Sequence, residues 1–168
     1  MTSLIAETKR LRIRRLTTDD AEFILRLVNE PSFLENIGDK GVRDLEDAKR
    51  FILEGPWAQH EHQGYGQFAL ELKHDGSVVG VGGLLYREKL EISDLGVAVL
   101  PEHWRQGYGY EAALAIMEYG RAELGIDTIC GLTSEHNHAS IKALEKLGMS
   151  YQETVAMSDD DPGTLVYS

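Results

Sequence analysis

Hydrophobic and polar positions first alternate over residues 9–16, KRLRIRRL, where Leu11, Ile13 and the aliphatic stem of Arg15 fall opposite Arg10, Arg12 and Arg14. A period of two predicts a half-exposed strand with those arginines on a solvated face. Thr17 and Thr18 precede DDAEFILRLVN. A hydroxyl cap, early acids and the spacing of Phe23, Ile24, Leu27 and Val28 mark a helix there, which Pro31 closes. A second helix is predicted over 44–53, with Leu45, Ala48, Phe51 and Ile52 inward and Gly55-Pro56 as its stop. Residues 67–73 and 77–86 read as a hairpin around His74-Asp75-Gly76. Residues 92–100 are nearly all apolar, the pattern of a strand covered on both faces. Ala113, Ile116, Met117, Gly120 and Leu124 then predict a helix over 110–124. A buried strand over 127–133, an amphipathic helix over 137–147 and strands over 149–157 and 164–167 complete the chain. There is no repeat, low-complexity tract or linker. The expectation is one α/β domain over 1–168, a mixed sheet of about seven strands with helices on its faces.

Composition narrows the function classes. The 168 residues are 42% hydrophobic and 27% charged, an ordinary globular balance. The longest weakly polar run, Val78 to Tyr86, has nine residues, far short of the ~20 that a spanning helix needs. MTSLIAETKRLRIRR lacks an apolar core with a small-residue cleavage site, so no secretory signal is expected and a cytoplasmic location is. The single cysteine, Cys130, falls in a predicted buried strand, as an inert thiol with no internal partner. The formal charge is −11. Residues 1–50 hold 10 basic and 10 acidic side chains, so the remaining 7 and 18 after residue 50 supply all of it. Such a chain lacks the basic face a nucleic-acid binder uses for counterion release. Any polyanionic ligand of its C-terminal part must be held by local donors.

The densest chemistry lies in LGVAVLPEHWRQGYGYEAALAIMEYG, Leu95 to Gly120: strand, short loop, glycine pair, helix. Gly107 and Gly109 leave backbone accessible, Arg105 and Gln106 add side-chain donors, and the helix start aims free N–H groups at the loop. An ordinary turn before a helix has the same letters. A Walker loop is excluded because Gly109 is followed by Tyr-Glu, and a dinucleotide fingerprint because the loop lies in the second half of the chain. A second cluster, TSEHNHAS (133–140), enters the next helix with Asn137 and Ser140, an amide and a hydroxyl at the carboxyl edge of the sheet. A helix cap with a first-turn serine accounts for the same letters. His60 with His62, and His136 with His138, have no cysteine partner or third ligand at helical spacing, so no metal is expected. Trp57, Tyr65 and the HQGYGQ glycines fit an acceptor pocket or packing.

Taken together, PEHWRQGYGYEAA, a helix, a strand and NHASIKALEKLGM resemble the acetyl-CoA-binding half of the GNAT acyltransferases. The chain is most similar to their RimJ/RimL-like branch, whose opening strand and helix ETKRLRIRRLTTDDAEFI also resembles. The resemblance implies two central parallel strands splayed around acetyl-CoA. It places the pyrophosphate on the amides of Arg105, Gln106, Gly107, Tyr108, Gly109 and Tyr110, and the pantetheine along backbone groups of Val97 and Val99. Asn137 matches the family's cofactor-steadying Asn, and Ser140 a serine that protonates the leaving thiolate. Trp104 stands where the superfamily usually has Gln or Arg.

Direct attack by an amine requires its deprotonation, and a carboxylate is the natural base. Asp94 matches a position where relatives often carry an acid. A backbone N–H around 97–99 is the expected oxyanion contact, and Glu111 is read as supporting the helix start or the loop. The implied activity is N-acetylation of a protein N-terminal or small-molecule amine by a monomer or homodimer, without metal, nucleic acid or membrane. A silent CoA-binding module and a protein binding some other phosphate ligand are the alternatives. The acid surplus after residue 50 favours a cationic acceptor.

Overall fold

The computed structural model describes residues 4–168. Its N-terminal half consists of β1 (Leu4–Glu7), β2 (Leu11–Arg15), α1 (Ala21–Leu27), α2 (Pro31–Asn36), α3 (Leu45–Ile52), α4 (Ala58–Gln63), β3 (Gln67–Leu72) and β4 (Val78–Arg87). Then follow β5 (Ile92–Val99), α5 (Tyr108–Ala122), β6 (Ile129–Thr133), α6 (His138–Lys146), β7 (Tyr151–Val155) and β8 (Thr164–Tyr167). One sheet joins the eight strands in the order β1-β2-β3-β4-β5-β6-β8-β7. All neighbours are antiparallel except β5 and β6, which run parallel. The mixed sheet flanked by helices agrees with the sequence pattern. The eighth strand is β1, a four-residue edge too short to display a period.

Two apolar clusters sandwich the sheet. On one face, Leu11, Ile13, Phe68, Leu70 and Leu84 meet Ala112, Ile116 and Met117 of α5. Gly120 allows that approach, since a Cβ there would stand 2.6 Å from Leu84 Cδ1. On the other face, Ala69 and Val81 meet Ile24 and Leu27 of α1 and Ala48 and Ile52 of α3. The turn that leads into α1 starts on its predicted hydroxyl cap, and Asp44 caps α3. Thr17 Oγ1 accepts from the Asp19 N–H while the Asp20 carboxylate accepts from the Thr17 N–H, and Asp44 accepts from the Asp47 N–H.

Several local expectations give way to tertiary structure. Arg14 is not on a solvated face but 8% exposed. Its guanidinium forms a bidentate pair with Asp20 at 2.9 Å and donates Nε to Glu71 at 2.8 Å, which raises its pKa despite burial. Pro31 opens α2 at a first-turn position, where its missing N–H has no helical partner to lose. Gly55-Pro56 does not stop the second helix, because a π-helical turn over Leu53–Trp57 carries the chain into α4. Leu45 is 42% exposed rather than inward. On β5, Ser93 to Leu95 are buried, but Gly96 to Val99 are only half covered.

Candidate active site

That change of cover begins where the sheet opens. β5 pairs with β6 only at Ser93↔Ile129 and Asp94↔Cys130, although β5 runs on to Val99 and β6 to Thr133. The Leu100 N–H bonds to the Val79 carbonyl at 2.8 Å. Alternation along an antiparallel ladder therefore turns the backbone groups of Val97 and Val99 away from β4, into the opening. The Val99 carbonyl accepts the Trp104 indole N–H at 2.7 Å, so this departure from the usual loop residue braces the edge of the opening. Across from it, Thr133 is 8% exposed and its Oγ1 is buried without a protein partner.

The loop leaving β5 makes a single turn at Pro101–His103 and then passes through two residues of positive φ, Arg105 (62°) and Gly107 (83°). Gly107 is the N-cap of α5, and no side chain caps that helix. The N–H groups of its first turn, including those of Gly109 and Tyr110, thus face the loop with the positive end of the helix dipole behind them. Arg105, Gln106 and Gly107 are exposed. Tyr108 contributes backbone alone, since its ring is buried with the Arg10 guanidinium 4.4 Å above its centroid. The Tyr110 ring carries Lys146 of α6 at 4.2 Å.

Arg10 and Glu111 are the main residues at this loop that sequence periodicity misplaced or left vague. Glu111 Oε1 accepts from Arg10 Nε at 2.8 Å, while Oε2 accepts from the Arg10 N–H at 3.0 Å and from the Thr8 hydroxyl. Burial alone would raise the Glu111 pKa, but these three donors hold it below the ordinary value. Alternation placed Arg10 on a strand face, and no local signal marks a partner about a hundred residues away.

Asp94 lies at the last paired position of the opening. Its side chain is on the sheet face opposite α5, because Val97 and Val99 of the other parity lie 3.8 and 3.9 Å from where a Cβ on Gly109 would stand. Asp94 is 4% exposed, and Arg87 Nε and Nη2 donate to its Oδ2 at 3.0 and 2.8 Å. Burial raises its pKa even against Arg87 and the Leu132 N–H. Ser93 Oγ lies 3.4 Å from the Tyr65 hydroxyl. Burial also pushes the Cys130 thiol up, as expected of an inert core cysteine.

After β6, Asn137 caps α6 by accepting the Ser140 N–H at 3.2 Å, and both residues are half-buried. The expected donors thus gather at the carboxyl ends of β5 and β6, with Asp94 at the root of the opening. His60 stands apart, its ring 4.8 Å from Phe68 and its Nε2 3.0 Å from the Gln67 carbonyl, and burial lowers its pKa. Among the described residues no three His, Cys, Asp or Glu side chains gather as metal ligands.

A mixed sheet whose parallel central strands part above an uncapped helix start leaves an opening edged by unpaired backbone groups. Residues 10–150 match the family described as acetyltransferase (GNAT) domain, and the chain belongs to it. The uncharacterized N-acetyltransferase YoaA of Bacillus subtilis (strain 168) is 28% identical over 145 residues, covering 86% of this chain and 81% of its own. The acetyltransferase of Agrobacterium tumefaciens str. C58 superimposes with a TM-score of 0.80 at 24% identity, covering 99% of this chain and 92% of its own. The microcin C7 self-immunity acetyltransferase MccE, in complex with acetyl-CoA and AMP, gives 0.79 at 12% identity, covering 95% and 92%. The protein is an N-acetyltransferase.

Proposed function

We propose that this single domain transfers the acetyl group of acetyl-CoA directly to an amine. The observation that carries it is the opening between β5 and β6, which ends on the uncapped start of α5. The residues fit such a cosubstrate. The backbone groups of Val97 and the N–H of Val99 face the opening to bond an extended pantetheine arm. Arg105, Gln106 and the amides of Gly107 to Tyr110 meet the pyrophosphate, where local donors outweigh the net charge. Asn137 holds the start of α6 in place beside it. Acetyl-CoA supplies an activated acyl group on a thiolate leaving group.

Asp94 takes a proton from the incoming ammonium, and its raised pKa brings it closer to the task than an ordinary carboxylate. The amine nitrogen then bonds the acetyl carbon as the C–S bond breaks, the Ser140 hydroxyl protonates the departing sulfur, and the proton that the new amide nitrogen sheds restores the hydroxyl. The motifs around 101–113 and 137–149 favour a RimJ/RimL-like enzyme acting on a protein N-terminal or small cationic amine, as a cytoplasmic monomer or homodimer.

Acetyl-CoA should raise the melting temperature, and thiol release should depend on an amine drawn from peptides, polyamines and amino sugars. Asp94→Asn and Ser140→Ala should each lower kcat by ~10²–10⁴-fold with acetyl-CoA affinity unchanged. Binding without thiol release for any amine would favour a silent CoA-binding module, and no thermal shift would end both readings.

A further inference from the structure

We infer that Arg10 is a positioning residue for the pyrophosphate loop, a role that rests on the acetyl-CoA reading above. Arg10 sits in the tight turn between β1 and β2, where the Thr8 N–H bonds to the Leu11 carbonyl at 2.9 Å and the Lys73 N–H bonds to the Arg10 carbonyl at 2.9 Å. Its backbone is therefore fixed by the sheet. Its guanidinium is fixed as well, with Nε on Glu111 at 2.8 Å and the plane over the Tyr108 ring at 4.4 Å. From this anchorage Nη1 donates to the Gln106 carbonyl at 2.7 Å.

The consequence follows from peptide geometry. In a trans peptide the carbonyl and the next N–H point in opposite directions. Drawing the Gln106 carbonyl onto Arg10 turns the Gly107 N–H the other way, away from the guanidinium and toward the exposed side of the loop. Without that bond, a peptide leading into a glycine of positive φ is free to flip, presenting a carbonyl oxygen instead of a donor to an anion. Arg10 Nη2 also lies 3.2 Å from where a Cβ on Gly107 would stand, so the clamp and the glycine fit each other. Arg10 thus acts on phosphate binding through the loop backbone, and Glu111 and Thr8 act by holding Arg10.

The test compares two probes on the full chain, acetyl-CoA and S-acetylpantetheine, which shares the thioester arm but carries no phosphate. Affinities are measured by calorimetry and amide-shift titration for wild type, Arg10→Met, which keeps the stem over Tyr108, and Arg10→Lys, which keeps one cationic donor. Loss of one charge-assisted hydrogen bond predicts acetyl-CoA binding weaker by about 10-fold in Arg10→Met, with partial recovery in Arg10→Lys. S-Acetylpantetheine should bind all three alike. Equal acetyl-CoA affinity in wild type and Arg10→Met overturns the inference. So does a parallel loss of both probes, which is what a merely structural arginine would produce. Failure of wild type to bind either probe removes the acetyl-CoA reading itself, and is recognised by appearing without any mutation.

Discussion

Gly83 and Gly96 face each other across β4 and β5, yet substitution by alanine should have opposite consequences. A Cβ on Gly83 would stand 2.1 Å from the Gly66 carbonyl oxygen and 2.7 Å from Gln67 Cα. Both obstacles are backbone, so no rotamer change relieves the clash and the start of β3 must move by about an ångström. Overpacking of this kind costs roughly 3 kcal/mol. Replacing a mid-strand glycine by alanine returns ~0.5–1 kcal/mol of backbone entropy, for a net loss of about 2 kcal/mol. At ~2–4 °C per kcal/mol for a chain of this size, Gly83→Ala should melt ~4–8 °C below wild type. A Cβ on Gly96 meets nothing within 4 Å. Gly96→Ala should keep the entropic gain and melt at or slightly above wild type. Circular dichroism melts, with urea titrations to show that the midpoint moves and the slope does not, decide the matter. Wild-type stability in Gly83→Ala, or an equal loss in Gly96→Ala, would refute the close strand approach described here.

Glu111 and Asp94 should leave opposite marks on pH dependence. The folded pKa of Glu111 lies below its unfolded value, so its contribution is present above ~4.3 and lost as pH falls through the lowered value. Glu111→Gln should therefore flatten the acid limb of melting temperature against pH, and an unchanged limb would contradict the clamp. Asp94 has a raised folded pKa, so stability from its protonated form is lost as pH rises through that value. Asp94→Asn should remove this loss just above the ordinary carboxylate range, as read by melts from pH ~3.9 upward. Asn137→Ala should cost ~1 kcal/mol through the lost cap, with recovery in Asn137→Asp, and a neutral alanine would argue against the bond to the Ser140 N–H.

Elements with their own periodic pattern, cap or turn residues were legible in the sequence. The helix after Thr17, the Asp75-Gly76 hairpin, α5 and α6 all declare themselves through neighbours within a few residues. Pro31 and Gly55-Pro56 misled because a proline does not say on which side of it a helix stands. It is tolerated at a first turn and within a π turn, and only the packing of α2 and α4 selects those outcomes.

The candidate site divides the same way. The loop amides, Asn137 and Ser140 stand in local motifs, because binding through backbone requires glycine and a helix start at fixed spacing. Arg10, Arg12 and Arg14 are equivalent by alternation, yet one clamps a loop, one bridges Glu71 and Glu7, and one is buried on Asp20. Part of the difference lies in Glu111 on α5 and Glu71 on β3, far away in sequence, and part in nearby acids, Glu7 for Arg12 and Asp20 for Arg14. By itself the sequence determined the family of folds and the place of the glycine loop before α5. Tertiary structure alone decided where β5 and β6 part, how deeply Asp94 is buried, and which arginine serves the loop, because strand separation, burial and the Arg10 contacts to Gln106 and Glu111 depend on segments far apart in sequence.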